Sequence, residues 1–381
     1  MTRMKQQGPQ SVYLHVPFCL HHCGYCDFTL VAGSDRLVPD YLTALENELI
    51  SRPGPGAGHV KTIFVGGGTP TYLQPSDLSS LLNRFLMDWA PANDSEFSIE
   101  ANPDGLCDER LNLLRNYGVN RLSLGVQSFD DDCLRTLERR HSATQAVEMV
   151  QHCQKWFDNI SVDLIFGVPG QTIESWKHTL QTVTSLPVTH VSTYGLTYEQ
   201  GTPFFRREKD GLLRRAPDDL ERDQYLLAMD HLCDHGFEHY EVSNFAKPGF
   251  QCRHNQTYWN ANEYEAFGPG AARYLHGVRT TNCRSVTRWI RSWLENEPCV
   301  HETETLNDED RAREAIMLAL RMTAGLHVES FEKRFQVSLS ELASDAVERH
   351  QRDGLLEHRS GTLRLTRAGL LLGDTVVTDF L

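Results

Sequence analysis

Apolar and polar positions along the 381-residue chain alternate between short strand-like runs and amphipathic helical stretches. Val12–Val16 reads as a buried strand, and Pro39–Ile50 has the i, i+3/i+4 apolar spacing of a helix with proline near its start. The same unit then recurs. Strands are predicted over Thr62–Val65, Phe97–Glu100, Arg121–Gly125, Ile160–Phe166 and Val191–Tyr194. Helices are predicted over Pro75–Met87, Asp108–Tyr117, Asp130–Leu137, Ala143–Trp156, Thr172–Ser185 and Asp218–His235. Six β-α units with short connections imply an α/β fold, a parallel sheet with helices outside, curled into a full or partial (β/α) barrel over residues 1–240.

Beyond the barrel the pattern changes. Glu238–Val242 predicts a further short strand, and residues 241–300 read as a connecting segment. From residue 301 to 381, three predicted helices (Glu309–Arg321, Val328–Phe335, Ser338–Asp353) precede a hairpin signal around Arg359-Ser-Gly361, an order that resembles a winged helix. Such modules often bind DNA, but residues 301–381 carry 10 Lys/Arg against 15 Asp/Glu, so 10 − 15 = −5. The whole chain has a net charge of −14. Both balances argue against nucleic acid as a partner and favour a packing, lid or docking role for the C-terminal module. No apolar run approaches the ~20 residues of a membrane span, and Met1–Gln10 is polar, so a cytosolic protein that is not integral to a membrane is expected.

Ten cysteines in a cytosolic chain point to metal or redox chemistry rather than a disulfide framework. Three of them, Cys19, Cys23 and Cys26, stand at CxxxCxxC spacing directly after the first strand. That loop can gather three thiolates around an iron–sulfur cube. A [4Fe–4S] cluster takes one thiolate per iron, so three leave one iron open. The competing reading is a zinc loop, for which zinc usually wants a second ligand pair further along. Outside this loop, Cys107, Cys133, Cys153, Cys233, Cys283 and Cys299 are scattered and read as small core residues.

Barrel chemistry sits at the C-terminal ends of the strands. There the chain places the cysteine loop, Gly66-Gly67-Gly68, Glu100-Ala-Asn102, Gly125-Val-Gln127 and Asp163-Leu-Ile-Phe-Gly167. A glycine turn admits a ligand's ammonium and carboxylate to the backbone. Acidic and amide side chains suit an ammonium, ribose hydroxyls and an adenine edge, and Arg139 suits a carboxylate. An open iron with these groups around it fits the methionyl end of S-adenosylmethionine (SAM). Further on, His254-Asn-Gln-Thr-Tyr258-Trp259 admits two readings: a turn anchored by aromatic packing, or a haem site with His254 as axial ligand and Tyr258 and Trp259 covering the ring.

Taken together these motifs resemble the radical SAM superfamily, which implies a partial (β/α)6 barrel followed here by a mainly α, winged-helix-like domain. Tyr13-Leu-His15-Val-Pro17-Phe18-Cys19, Gly66-Gly-Gly-Thr-Pro-Thr71, Ile99-Glu-Ala-Asn-Pro103, Gly125-Val-Gln-Ser128 and Asp163-Leu-Ile-Phe-Gly-Val-Pro169 are similar to the oxygen-independent coproporphyrinogen dehydrogenase branch. That dehydrogenase has a fourth cysteine two places after the third, where this chain has Phe28, and a long N-terminal extension absent here. The segment from His254 to Trp259 instead matches the HNxxYW motif of HemW-type haem chaperones, as do Cys26-Asp-Phe28 and Glu241-Val-Ser-Asn-Phe-Ala246. The resemblance implies that Cys19, Cys23 and Cys26 hold the cluster. It assigns Tyr13, Gly67, Gly68, Thr69, Glu100, Gln127, Arg139 and Asp163 to SAM, and His254, Tyr258 and Trp259 to haem. It further implies a haem-acceptor protein as partner, membrane-associated or not, and is compatible with a homodimer. The alternative function is a radical SAM oxidoreductase acting on a porphyrinogen.

Overall fold

The computed structural model describes residues 8–56 and 58–381; the first part of the polar N-terminus lies outside them. Strand β1 (Ser11–Val16) leads into the cysteine loop, whose two ends are pinned by a parallel pair of two-residue strands, β2 (Phe18–Cys19) and β3 (Val31–Ala32). Helix α1 (Val38–Ser51) follows. The repeat then runs β4 (Val60–Gly67), α2 (Pro75–Asp88), β5 (Pro91–Ala101), α3 (Asp108–Asn116) and β6 (Arg121–Gln127). It continues with α4 (Asp131–Thr136), α5 (Ala143–Cys153), β7 (Asn159–Phe166), α6 (Ile173–Ser185) and β8 (His190–Gly195). Helices α7 (Pro203–Lys209) and α8 (Asp218–Asp234) close it.

The six long strands lie side by side, all parallel, in chain order. Short strands extend both edges. β9 (Glu238–Glu241) and β10 (Asn244–Ala246) run antiparallel beyond β8, and β11 (Glu265–Phe267) runs parallel beside β1. Among the described residues the sheet therefore has nine strands, and its barrel-forming part continues past residue 240.

The strands alternate strictly between two environments. Val12, Leu14, Ile63, Val65, Phe97, Ile99, Leu122, Leu124, Ile160 and Val162 are fully buried against the helices. Many of the residues between them are polar and also buried, among them Thr62, Glu96, Ser98, Arg121, Ser123, Ser161, His190 and Ser192, while Phe64 brings an aromatic ring to the same face. They face the barrel interior, where Thr62 meets His254, Ser161 meets His190 and Ser123 meets Asp163. Larger closed barrels fill this space with branched aliphatic side chains. Here the interior is a polar lumen, and each buried donor or acceptor in it needs a partner.

Helix α9 (Arg253–Trp259) plugs the lower end of that lumen. An antiparallel sheet of β12 (Ala272–Leu275), β13 (Val278–Asn282) and β14 (Val300–Thr305) stands beside the upper end. Between β13 and β14, α10 (Val286–Leu294) packs on α1, with Trp289 against Tyr41 at 5.6 Å and Asn47 donating to the Trp293 carbonyl at 2.8 Å. Because β14 pairs with β13, the boundary expected at residue 301 falls instead after Thr305. Local pattern misses β14 because all six of its residues are exposed and it carries no apolar face.

The C-terminal unit has its own core, including Ile316, Leu320, Phe331, Leu363 and Phe380. It runs α11 (Asp308–Leu320), β15 (Leu326–His327), α12 (Val328–Phe335), α13 (Leu339–Arg352), β16 (Leu356–Arg359) and β17 (Thr362–Leu365), a winged-helix order. The predicted hairpin joins β16 to β17 through Ser360 and Gly361, with φ of 52° and 78°. Positive φ at both central residues matches the twist of a two-residue hairpin. Val242 donates to the Arg321 carbonyl at 3.0 Å and Arg367 clamps Asp230, which ties this unit to the barrel. Two cysteine expectations change. Cys107 and Cys233 are exposed, and Cys283 sits opposite Cys299, its amide donating to the Cys299 carbonyl at 2.8 Å.

Candidate functional site

The loop after β1 brings Cys19, Cys23 and Cys26 to the upper end of the barrel, all as free thiols. Cys19 lies 3.1 Å from the Thr69 hydroxyl, which ties the loop to the glycine turn after β4. The Arg139 guanidinium reaches Cys23 Sγ at 3.7 Å. Burial pushes the thiols of Cys19 and Cys26 up to about 11, so a metal group binding them must displace protons. Among the described residues no three His, Cys, Asp or Glu side chains converge tightly enough for a single metal ion.

The glycine turn fits closely. A Cβ at Gly67 would sit 2.6 Å from the His15 ring, and one at Gly68 would sit 2.6 Å from the Phe18 carbonyl oxygen. Gly67 also has φ of 113°, a conformation that side-chain-bearing residues rarely adopt. The Gly67 amide donates to Glu100 Oε2 at 3.0 Å, which leaves the rest of that carboxyl facing the cavity. Asp163 sits deeper, with the Ser123 hydroxyl 3.4 Å from each of its oxygens. Arg139 donates to Asn102 Oδ1 (2.6 Å) and to the Gly125 carbonyl (2.7 Å), while its buried Nε has no partner among the described residues. Gln127, at the end of β6, holds φ of 69°, the kind of backbone strain that gathers at functional sites. Tyr13 lies in the lumen below, its hydroxyl 3.1 Å from His15 Nδ1.

Of the eight residues expected at SAM, Tyr13, Gly67 and Glu100 line one cavity beside the thiol loop, and Thr69 and Arg139 reach its cysteines. The unpartnered Arg139 Nε, the bare glycine backbone and two buried carboxyls suit an amino acid group with its own ammonium and carboxylate. The donor set fits the cofactor pair.

Two buried carboxyls in one lumen cannot both ionise cheaply. Burial, then the charge of Asp163, pushes Glu100 up to about 8 from its ordinary 4.5. Between those values the folded protein holds a proton that the unfolded chain has released. Stability of the cluster-free protein is therefore expected to fall as pH rises from about 4.5 through about 8. Urea midpoints at pH 5 and pH 8 check this, and Glu100→Gln should flatten most of the slope. A Glu100→Gln variant with the wild-type slope would contradict the assignment.

A cavity of about 650 Å³ opens beside the loop, within the range of cofactor sites. Its inner end is Tyr13, His15, Gly67 and Glu100; its outer wall includes Phe28, Tyr264, Arg284 and His301. Phe28, two places after Cys26, is 65% exposed at this rim.

Of the three aromatic-motif residues, only Tyr258 lines that cavity. His254 is buried in the plug helix, with Nδ1 2.9 Å from Thr62 Oγ1 and Nε2 2.8 Å from the Tyr258 hydroxyl. Neither nitrogen is free for an iron in this arrangement. Burial lowers the imidazole to about 3, so it stays neutral. Trp259 turns the other way, under Arg321 of the C-terminal unit at 4.8 Å. The plug is held from above by Glu96, whose carboxylate accepts from the amides of Arg253 (2.8 Å) and His254 (3.0 Å), an acidic cap on a helix N-terminus.

Several residues not assigned to a ligand from the sequence also hold the site. Asn102 links Thr69 to Arg139, and Glu138 accepts from the Gly24 amide at 2.8 Å inside the cysteine loop. His15 bonds Tyr13 and the Thr29 carbonyl. Only the period-two placement of His15 in β1 signals it in advance.

Comparison with known proteins places this geometry. Residues 13–183 match the radical SAM superfamily and residues 306–372 the HemN C-terminal domain, whose start agrees with the boundary after Thr305. The chain is 38% identical to the heme chaperone HemW of Bacillus subtilis, covering 98% of this chain and 99% of that protein. It is 33% identical to the mitochondrial radical S-adenosyl methionine domain-containing protein 1 of Bos taurus, over 98% of this chain and 90% of that one. The structure of coproporphyrinogen III oxidase (HemN) from Escherichia coli superposes with a TM-score of 0.86 at 24% identity, over 98% of this chain and 90% of that one.

Proposed function

This chain belongs to the HemW family within the radical SAM superfamily, and from that premise we propose that it is a haem chaperone. In this reading it binds haem and passes it to an acceptor protein, with a [4Fe–4S] cluster on Cys19, Cys23 and Cys26 and SAM at the open iron. The cluster supplies an electron-transfer centre when bound. The chain's own residues do the rest. Thr69 and Arg139 position the thiol loop, the Gly66–Gly68 turn exposes backbone to the ligand, and Glu100 with Asp163 meets its cationic end. The cavity of about 650 Å³ carries the reading, because it joins this polar inner end to an open aromatic rim and its volume lies in the range of cofactor sites.

Among the described residues no helix is long and apolar enough to cross a membrane, so a membrane-bound acceptor would be met at its surface. A cytoplasmic location suits the bacterial relatives, while the cattle relative is named as mitochondrial. Phe28 in place of a cysteine argues against coproporphyrinogen dehydrogenase activity. The test is anaerobic: purified, cluster-loaded protein is titrated with haemin and followed by absorbance, then incubated with SAM, reductant and coproporphyrinogen. Saturable haem uptake without carbon dioxide release is expected. Carbon dioxide release with no haem uptake would reverse the reading.

A further inference from the structure

The outer wall of the mouth cavity is built by the β12–β14 sheet, and one of its strands is irregular. Thr281 pairs with Glu302 but Asn282 pairs with Val300, so His301 is an extra residue in β14. A bulge of this kind bends a strand and re-aims a side chain. In a regular strand His301 and Glu302 would point to opposite faces. Here both line the cavity.

The nearby imidazoles differ in their commitments. His254 has both nitrogens engaged, by Thr62 and Tyr258. His15 has both engaged, by Tyr13 and the Thr29 carbonyl. His301 is exposed, and among the described residues nothing hydrogen-bonds its ring. A neutral imidazole open to a cavity is the side chain that most often takes haem iron.

The surroundings suit the rest of such a cargo. Phe28 offers an exposed apolar face on the rim. Arg284, on the same wall as His301, pairs with Asp27 at 3.1 Å, both half exposed. An exposed pair of this kind contributes little, so the guanidinium can exchange it for a propionate at small cost.

We propose that His301, aimed by the β14 bulge, is the axial ligand for haem iron in the mouth cavity, with Phe28 covering the ring and Arg284 pairing a propionate. This rests on the chaperone reading and names the residue that reading needs. The step is a ligand exchange with no change of oxidation state: a lone pair of an imidazole nitrogen forms the bond to iron as the iron's bond to water or chloride breaks and that ligand leaves to solvent.

The experiment titrates the full-length, cluster-loaded protein with haemin and compares wild type, His301→Ala and His254→Asn. In His301→Ala the Soret band is expected to shift and apparent affinity to fall at least about tenfold, the scale typical of a disturbed metal site. Added free imidazole should restore the wild-type band. Melting should be unchanged, since His301 is exposed on an edge strand. Folded His254→Asn should keep the wild-type band. A His301→Ala protein with unaltered band and affinity overturns the ligand assignment alone. Wild-type protein that takes up no haem overturns the chaperone reading itself.

Discussion

Replacing Cys23 with alanine should strip the protein of cluster iron, from the roughly four per chain expected of a [4Fe–4S] group to near none. The visible absorbance of the anaerobically purified protein should go with it. Cys23 is a buried thiol whose sulfur faces Arg139 at 3.7 Å and the Glu138 carbonyl at 3.9 Å. Nothing beside it can take over. His22 already bonds the Cys26 carbonyl, and His21 lies against Glu138. Cys107 is exposed, starts α3 and makes its contact with Arg110, so Cys107→Ala should retain full iron. The pair of variants separates loss of a ligand from general loss of thiols. Full iron in Cys23→Ala would contradict the cluster assignment.

The second large effect is structural. His254→Ala should destabilise the protein by about 2–4 kcal/mol, the sum of a core cavity and two buried hydroxyls left unpaired. Those hydroxyls are Thr62 Oγ1 and the Tyr258 hydroxyl, which His254 joins across the lumen floor. The His254 ring also packs on Phe64 at 5.3 Å. Tyr258→Phe removes only one of these bonds and should cost about 1 kcal/mol. Thermal or urea unfolding of the two variants checks the order. Equal stability of His254→Ala and wild type would show that the plug does not depend on the imidazole. Loss of haem in His254→Ala is therefore to be judged per folded molecule, because the residue that the HNxxYW motif draws attention to is first a fastener.

That fastener shows where legibility in the sequence ended. Strands and helices of the barrel were readable because their signals are local: period two, period 3.6, proline at helix starts and glycine at turns. The thiol loop was readable because its three cysteines follow one another within eight residues, Cys19 to Cys26. The glycine turn, Glu100 and Asp163 were readable because parallel topology carries every strand end to the same rim. By contrast, β14 gave no local signal, its six residues being uniformly exposed, and the boundary at 301 was displaced accordingly. The cysteines looked scattered along the chain although Cys283 and Cys299 lie opposite each other.

By itself the sequence determined the barrel order and the three-thiol loop, since both depend only on backbone geometry over a few residues. The tertiary structure alone decided which polar groups meet. Thr62 and His254 are partners although 192 residues apart, and so are Glu96 and the amide of Arg253, 157 apart. Those meetings depend on how far the sheet curls and what fills its open side. The physical reason is that a buried polar group takes whatever partner the closed lumen brings to it. Chain-local pattern can show that a histidine is polar and buried, but only closure shows whether its nitrogens are spent, as in His254, or open to the cavity, as in His301.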